Sequence, residues 1–178
     1  MLRDTQTRKA QCGAQFQGQS ALLPRECNRG REAALRIHRN KIAAKEIRLL
    51  KKLPIDVSVE SNAGQMLQVF SNLIGNAVEA LPIKGTLHIR ARCTDGEAHI
   101  LFADNGCGIP APIHGRIFEP FFSTKGERGT GLGLAITKAI IDRYRGRIRS
   151  RTSTRPGRCG TAFRISLPVR AQSAGTGK

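Results

Sequence analysis

The stretch Gly126-Glu-Arg-Gly-Thr-Gly-Leu-Gly-Leu-Ala-Ile136 places four glycines within eight residues, immediately before a run with helical spacing. Glycine at such a place lets backbone N–H groups approach an anion, because no Cβ intervenes and the helix dipole favours negative charge. The stretch therefore points to a phosphate-binding design, of which several unrelated kinds exist, and its missing residues narrow which one. A Walker A loop requires Lys and then Ser or Thr after the last glycine, whereas Gly131 and Gly133 are each followed by Leu. The G-x-G-x-x-G dinucleotide fingerprint fails too: Ile136 stands where the third glycine belongs, and no strand runs directly into the loop. What precedes the glycines is Ile117-Phe-Glu-Pro-Phe-Phe-Ser-Thr-Lys125, an aromatic hinge before a mobile lid.

Around this stretch the chain alternates helical and strand patterns. Residues 31–44 carry apolar groups at helical spacing. Glu46–Leu50 and Asp56–Glu60 read as short strands around a turn at Lys51-Lys-Leu-Pro54, and a long amphipathic helix over Ala63–Leu81 stops at Pro82. Thr86–Cys93 and Glu97–Ala103 alternate about Thr-Asp-Gly, a hairpin signature. A short helix (110–117), a loop (118–130), a helix (131–144) and strands near 147–152 and 161–167 complete the reading. The fold class expected is α/β, in the sense of an α+β sandwich: one mixed β-sheet under a layer of helices. Residues 1–30 read as a poorly ordered basic leader, 31–168 as one domain and 169–178 as a flexible tail.

Charge is distributed unevenly. Of the net +17, residues 1–52 carry +9, residues 53–141 carry −1 and residues 142–177 carry +8, with Lys178 adding the last charge. The simplest reading of the flanks is a solvated arginine-rich surface, although basic flanks can favour nucleic acid, anionic membrane or an acidic protein. No apolar run reaches the roughly 18–20 residues that span a bilayer, and Met1-Leu-Arg-Asp-Thr-Gln lacks the apolar core of a secretory signal, which predicts a cytoplasmic chain. Five widely spaced cysteines without a C-x-x-C pair fit reduced thiols better than a zinc site or a disulfide framework.

Two further motifs carry chemistry. On the long helix, Met66, Phe70, Leu73, Ile74, Ala77, Val78 and Leu81 form one stripe, and Gln65, Gln68, Asn72, Asn76 and Glu79 the opposite one. In so basic a chain, a polar stripe without Lys or Arg offers uncharged oxygens to a hard cation such as Mg²⁺ that also holds phosphate; the plain alternative is a solvated face. Asp104-Asn-Gly-Cys-Gly-Ile-Pro110 follows an apolar strand directly. It reads either as an ordinary Asx turn or as a carboxylate beside a backbone that can approach a flat ligand, where it would accept from an exocyclic amine.

Asn72-Leu-Ile-Gly-Asn76, Asp104-x-Gly-x-Gly108, Phe118-Glu-Pro-Phe-Phe122, Gly129-Thr-Gly-Leu-Gly-Leu134 and Gly160-Thr-Ala-Phe163 occur in that order. Together they strongly resemble the N, G1, F and G2 boxes and the final glycine-threonine element of the ATP-binding catalytic domain of sensor histidine kinases. These belong to the GHKL superfamily, with the Bergerat ATP-binding fold. The resemblance covers residues 31–168, and the Phe-Phe-Ser-Thr-Lys lid looks like the nitrogen-regulation branch. It implies ATP and Mg²⁺ as cofactors. Asp104 would accept from the adenine amine, with Thr161 beside it, and Gly106 and Gly108 would let the chain pass close to the base. Asn76 would ligate Mg²⁺ with Asn72 beside it. Gly129, Thr130, Gly131, Leu132 and Gly133 would face the phosphates, with Lys125 as a helper cation from the lid.

In the ATPase branch of that superfamily, a Glu one turn before the Mg²⁺-binding Asn activates water; here that position is Asn72, which cannot act as a base. Transfer to a histidine needs less help, since imidazole is a nucleophile near neutral pH. A kinase is therefore expected over an ATPase. None of His38, His88, His99 and His114 sits in the family's acceptor motif of His, an acid and a nearby Pro. The implied partners are a dimerisation domain bearing the phosphoacceptor histidine and, downstream, a response regulator; nucleic acid is not expected. The alternative is an orphan ATP-binding regulator or an anti-sigma-type kinase directed at Ser.

Overall fold

A computed structural model of the chain describes residues 25–52, 61–94, 96–126 and 129–169. The expected strand over 56–60, nearly all of the leader and nearly all of the tail lie outside them. In chain order the elements are α1 Arg25–Ile37, α2 Arg39–Ala44, β1 Arg48–Lys52, α3 Ala63–Ala80, β2 Thr86–Thr94, β3 Glu97–Asp104, α4 Ala111–His114, α5 Gly133–Arg143, β4 Arg147–Ser153 and β5 Gly160–Pro168.

The strands form one sheet in the order β1-β2-β3-β5-β4. The β1–β2 pair is parallel and the rest antiparallel. A parallel neighbour cannot be reached by a tight turn, and α3 supplies the crossover. Alternation along the antiparallel strands buries one face and leaves the other to solvent. Leu87 and Ile89 of β2, Ala98, Ile100 and Phe102 of β3, and Phe163, Ile165 and Leu167 of β5 point into the core. Met66, Val69, Phe70, Leu73, Ile74, Ala77 and Val78 of α3 lie over them at three- and four-residue spacing. The rings of Phe70 and Phe102 sit 5.7 Å apart across that layer.

Local signals place the ends of α3 where its residues predict. Asn62 caps it, its Oδ1 accepting from Gly64 N at 2.9 Å and Gln65 N at 3.2 Å. At the other end, before Pro82, Lys45 inserts its ammonium group, donating to the carbonyls of Val78 (2.8 Å), Glu79 (3.2 Å) and Leu81 (2.7 Å). These acceptors belong to the helix end, where backbone C=O groups lack intrahelical partners and the dipole favours a cation.

The first helical segment departs from expectation in two ways. It begins at Arg25, within the expected leader, and it is two helices broken at His38 rather than one. The cause of the break is tertiary. The His38 ring turns onto α3, with Nε2 3.0 Å from Ser71 O and 3.1 Å from Ser71 Oγ. It fits there because residue 75 is glycine, where a Cβ would stand 3.0 Å from the imidazole. The first strand is shifted to Arg48–Lys52, so Lys51 and Lys52 extend it instead of forming a turn. The short helix is confined to Ala111–His114. The remaining elements agree with the sequence reading to within two residues.

Candidate functional site

Asp104 ends β3 on the buried side of the sheet, directly opposite Thr161 of β5. Its Oδ1 accepts from Gly106 N at 2.9 Å and Thr161 N at 3.2 Å. Burial is the larger influence on this carboxyl and raises its pKa above the ordinary aspartate value, while the two backbone donors pull the other way. The following turn is pressed against two elements. A Cβ on Gly106 would meet Ala80 O at 2.6 Å, and Cys107 N donates to that same oxygen at 3.2 Å. Gly108 has φ +74° and lies so close to β4 that a Cβ would stand 2.1 Å from Ser153 O. No side chain fits there, which explains the second glycine of the motif.

The polar face of α3 forms the floor of the site. Asn72, Asn76 and Ala80 follow one another at four-residue spacing along about 12 Å of helix. Each receives a different piece of chain. Asn72 Nδ2 donates to Gly133 O (2.8 Å) and Thr137 Oγ1 (3.2 Å), fastening the start of α5. Asn76 Oδ1 accepts from Lys125 Nζ at 3.2 Å, and Ala80 receives the Asp104 turn. The ammonium group of Lys125 also pairs with the Glu79 carboxylate. Asn72 thus sits on the predicted face, but its amide is spent on the helix after the lid.

The lid itself is described on both sides of Glu127 and Arg128. Gly131 has φ +64°, and a Cβ there would stand 2.4 Å from the Phe121 carbonyl carbon, so the glycine loop packs on the aromatic hinge only without a side chain. Phe122 is held by the Arg116 guanidinium 4.4 Å above its ring, and Phe118 meets Phe163 edge-on at 6.4 Å. Gly129 N is bonded back to Gly126 O at 3.1 Å, and Leu132 N to Thr130 Oγ1 at 3.4 Å. The N-cap of α5, Leu132, provides no side-chain acceptor, and its first turn contains no acid. The amides at that helix start thus lack the satisfaction a polar cap gives.

Two participants were not legible beforehand. Glu79 was read as part of a polar stripe, yet it holds Lys125 across 46 residues of sequence, a separation at which no periodicity operates. Thr152 accepts from Ile109 N at 2.7 Å and donates to Gly160 O at 3.1 Å, tying the Asp104 turn to β5. Nothing in a serine- and threonine-rich strand end singles it out.

Among the described residues no group of three His, Cys, Asp or Glu side chains converges to hold a metal, and no helix is long and apolar enough to cross a membrane. Hard oxygen donors do stand together at Asn76 and Glu79, with a cation already against them in Lys125. That donor set suits Mg²⁺ shared with phosphate oxygens.

The family model described as "Histidine kinase-, DNA gyrase B-, and HSP90-like ATPase" matches residues 61–171. The chain belongs to that ATPase family. Within it, the similarity runs to histidine kinases. Sporulation kinase A of Bacillus subtilis (strain 168) is 43% identical over 112 residues, covering 63% of this chain and 18% of that protein. The sensory histidine kinase/phosphatase NtrB of Rhodobacter capsulatus is 45% identical over 121 residues, covering 61% of this chain and 33% of that one. The chain therefore spans a fifth to a third of these relatives' length. The catalytic domain of histidine kinase ThkA superposes with a TM-score of 0.69 at 29% identity, over 79% of this chain and 92% of that domain. The expected family and fold are thereby borne out. This histidine-kinase-type domain is a mixed sheet under helices, built like an isolated kinase catalytic domain.

Proposed function

We propose that this domain binds Mg-ATP between the Asp104 turn and the lid, and presents the γ-phosphate to a histidine on a separate dimerisation domain. What supports the reading most is how three chain segments gather on one side of α3: the Asp104 turn at Ala80, Lys125 at Asn76 and the uncapped start of α5 at Asn72. Both backbone donors reach Asp104 at Oδ1, which leaves Oδ2 for the exocyclic amine of adenine. Gly106 and Gly108 keep the base plane against backbone. Thr161 holds Asp104 in place through its N–H.

The amides of Gly129 to Gly133 and the positive end of α5 stabilise phosphate charge. Asn76 supplies the oxygen for Mg²⁺, which when bound neutralises charge on the phosphate oxygens. Lys125 leaves Glu79 to reach the same phosphates. An imidazole nitrogen from the partner attacks the γ-phosphorus, the bond to the bridging oxygen breaks, ADP leaves and the imidazole N–H proton passes to solvent. A response regulator is the downstream recipient; ThkA has been solved in complex with the response regulator TrrA, and it resembles this chain with a TM-score of 0.67 at 26% identity.

The purified chain, given Mg-[γ-³²P]ATP and a separate histidine-kinase dimerisation domain, should place acid-labile phosphate on that domain alone. Acid-stable label on Ser would support the anti-sigma-type alternative instead, and label on the chain itself that disappears in His38→Ala would overturn the assignment of a missing acceptor.

A further inference from the structure

The open face of the sheet, opposite the nucleotide site, is basic, with Glu97 the one carboxylate beside Arg147, Arg149 and Arg164. Cross-strand register brings Arg149 directly opposite Arg164 and Arg147 opposite Ser166, which in turn pairs with His99 of β3. Like charges directly opposite in an antiparallel pair are destabilising. No ion pair or side-chain hydrogen bond occupies Arg147, Arg149 or Arg164 among the described residues. The three line an open cavity of about 200 Å³ together with Glu97, His99 and Ser166. The floor is ordered: His99 Nδ1 lies 2.8 Å from Ser166 Oγ, and Glu97, the one acid on the rim, stands 3.9 Å from His99 Nε2.

We propose that this cavity is a second anion site, which takes a small soluble ligand bearing a di- or polyphosphate group. Guanidinium forks suit phosphate oxygens, because each presents parallel N–H donors to two of them. Three such groups around a cavity of this volume match a pair of phosphates better than a flat bilayer. The face carries no aromatic platform on which bases of a single strand would stack. The site is independent of the nucleotide pocket: His99 and Asp104 lie on opposite faces of β3, and roughly 17 Å separates the two along the strand. A ligand here relieves the Arg149–Arg164 repulsion and so stiffens the β4–β5 pair that also carries Thr152 and Thr161.

The test is titration of the full chain with sodium pyrophosphate at physiological salt, followed by calorimetry and by amide shifts in β4 and β5. Saturable binding with shifts centred on residues 147–149 and 164–166 is expected, and the Arg149→Ala/Arg164→Ala double variant should weaken it at least about tenfold. The Asp104-dependent binding of Mg-ATP should stay unchanged in that variant, which separates this site from the nucleotide reading. The variant's melting temperature should equal or exceed that of the parent, so lost binding would not reflect misfolding. Binding that is equal in both proteins overturns the proposal. So does arginine-dependent binding to phosphatidylglycerol vesicles, or to duplex DNA, without saturable binding of pyrophosphate.

Discussion

Asp104 illustrates a residue kept at the expense of stability. Its carboxyl is buried enough that the pKa is raised despite two backbone donors. The folded state therefore binds its proton more tightly than the unfolded state does, and this residue's contribution to stability declines as pH rises from the ordinary aspartate range through the raised value. Asparagine retains an Oδ1 for Gly106 N and Thr161 N and removes the buried charge. Asp104→Asn should thus melt no lower than the parent near neutral pH, with the difference in its favour shrinking on acidification. Adenine binding has the opposite requirement, since it needs an acceptor where Asn would present an NH₂ group. The variant should weaken ATP binding by about 1.5–3 kcal/mol, and parent-like affinity by calorimetry would refute the adenine assignment. In the parent, ATP affinity should begin to fall at a higher pH than an ordinary aspartate would dictate.

Among the elements, α3 connects stability to the site. Lys45 gathers three carbonyls at its C-terminal end, beside the Ala80 carbonyl that receives the Asp104 turn. Lys45→Met keeps much of the aliphatic stem and removes these bonds. It should destabilise the fold by about 1.5–3 kcal/mol, measured by chemical denaturation, and no change would show that water replaces the ammonium group freely. On the same last turn, the exposed Lys125–Glu79 pair contributes little to folding, about 0.2–1 kcal/mol. It opposes nucleotide binding, because Lys125 must leave it. Glu79→Gln should leave the melting temperature nearly unchanged and tighten Mg-ATP binding by about two- to fivefold; weaker binding would mean that Glu79 helps hold the metal. At Asn72 the geometry argues against restoring a catalytic base. A Glu there can donate to neither Gly133 O nor Thr137 Oγ1, so Asn72→Glu should loosen α5 before it accelerates hydrolysis.

At the scale of the whole molecule, all four histidines are at least half-buried, and three are engaged. His38 packs on α3, His99 bonds to Ser166, and His114 Nε2 lies 2.8 Å from Ser150 Oγ. None is presented as a phosphoacceptor, consistent with a chain that spans a fifth to a third of its relatives. The isolated chain should bind Mg-ATP and turn it over slowly, because loss of a positioned base typically lowers a rate by about 10²–10⁴. Steady-state hydrolysis at rates typical of a dedicated ATPase would show that some group other than Asn72 activates water.

How much of this was readable in advance depends on the range of the interaction. The spacing of Met66, Phe70, Leu73 and Ala77, the stop at Pro82, the alternation through β2, β3 and β5, and the two glycines after Asp104 all act within a few residues, so the sequence alone determined helix, sheet and the ordered set of nucleotide motifs. His38 breaking a helix to reach Ser71, Lys45 capping a helix 33 to 36 residues later and Glu79 holding Lys125 are contacts between segments remote in sequence. Only the closed tertiary structure brings those groups together. The arginines of the last strands show the same division: local alternation sets the face that Arg147, Arg149 and Arg151 share, whereas pairing with β5 places Arg164 opposite Arg149, where both line a cavity. Side-chain direction is local physics, whereas which strand lies alongside is settled by burial of the whole sheet.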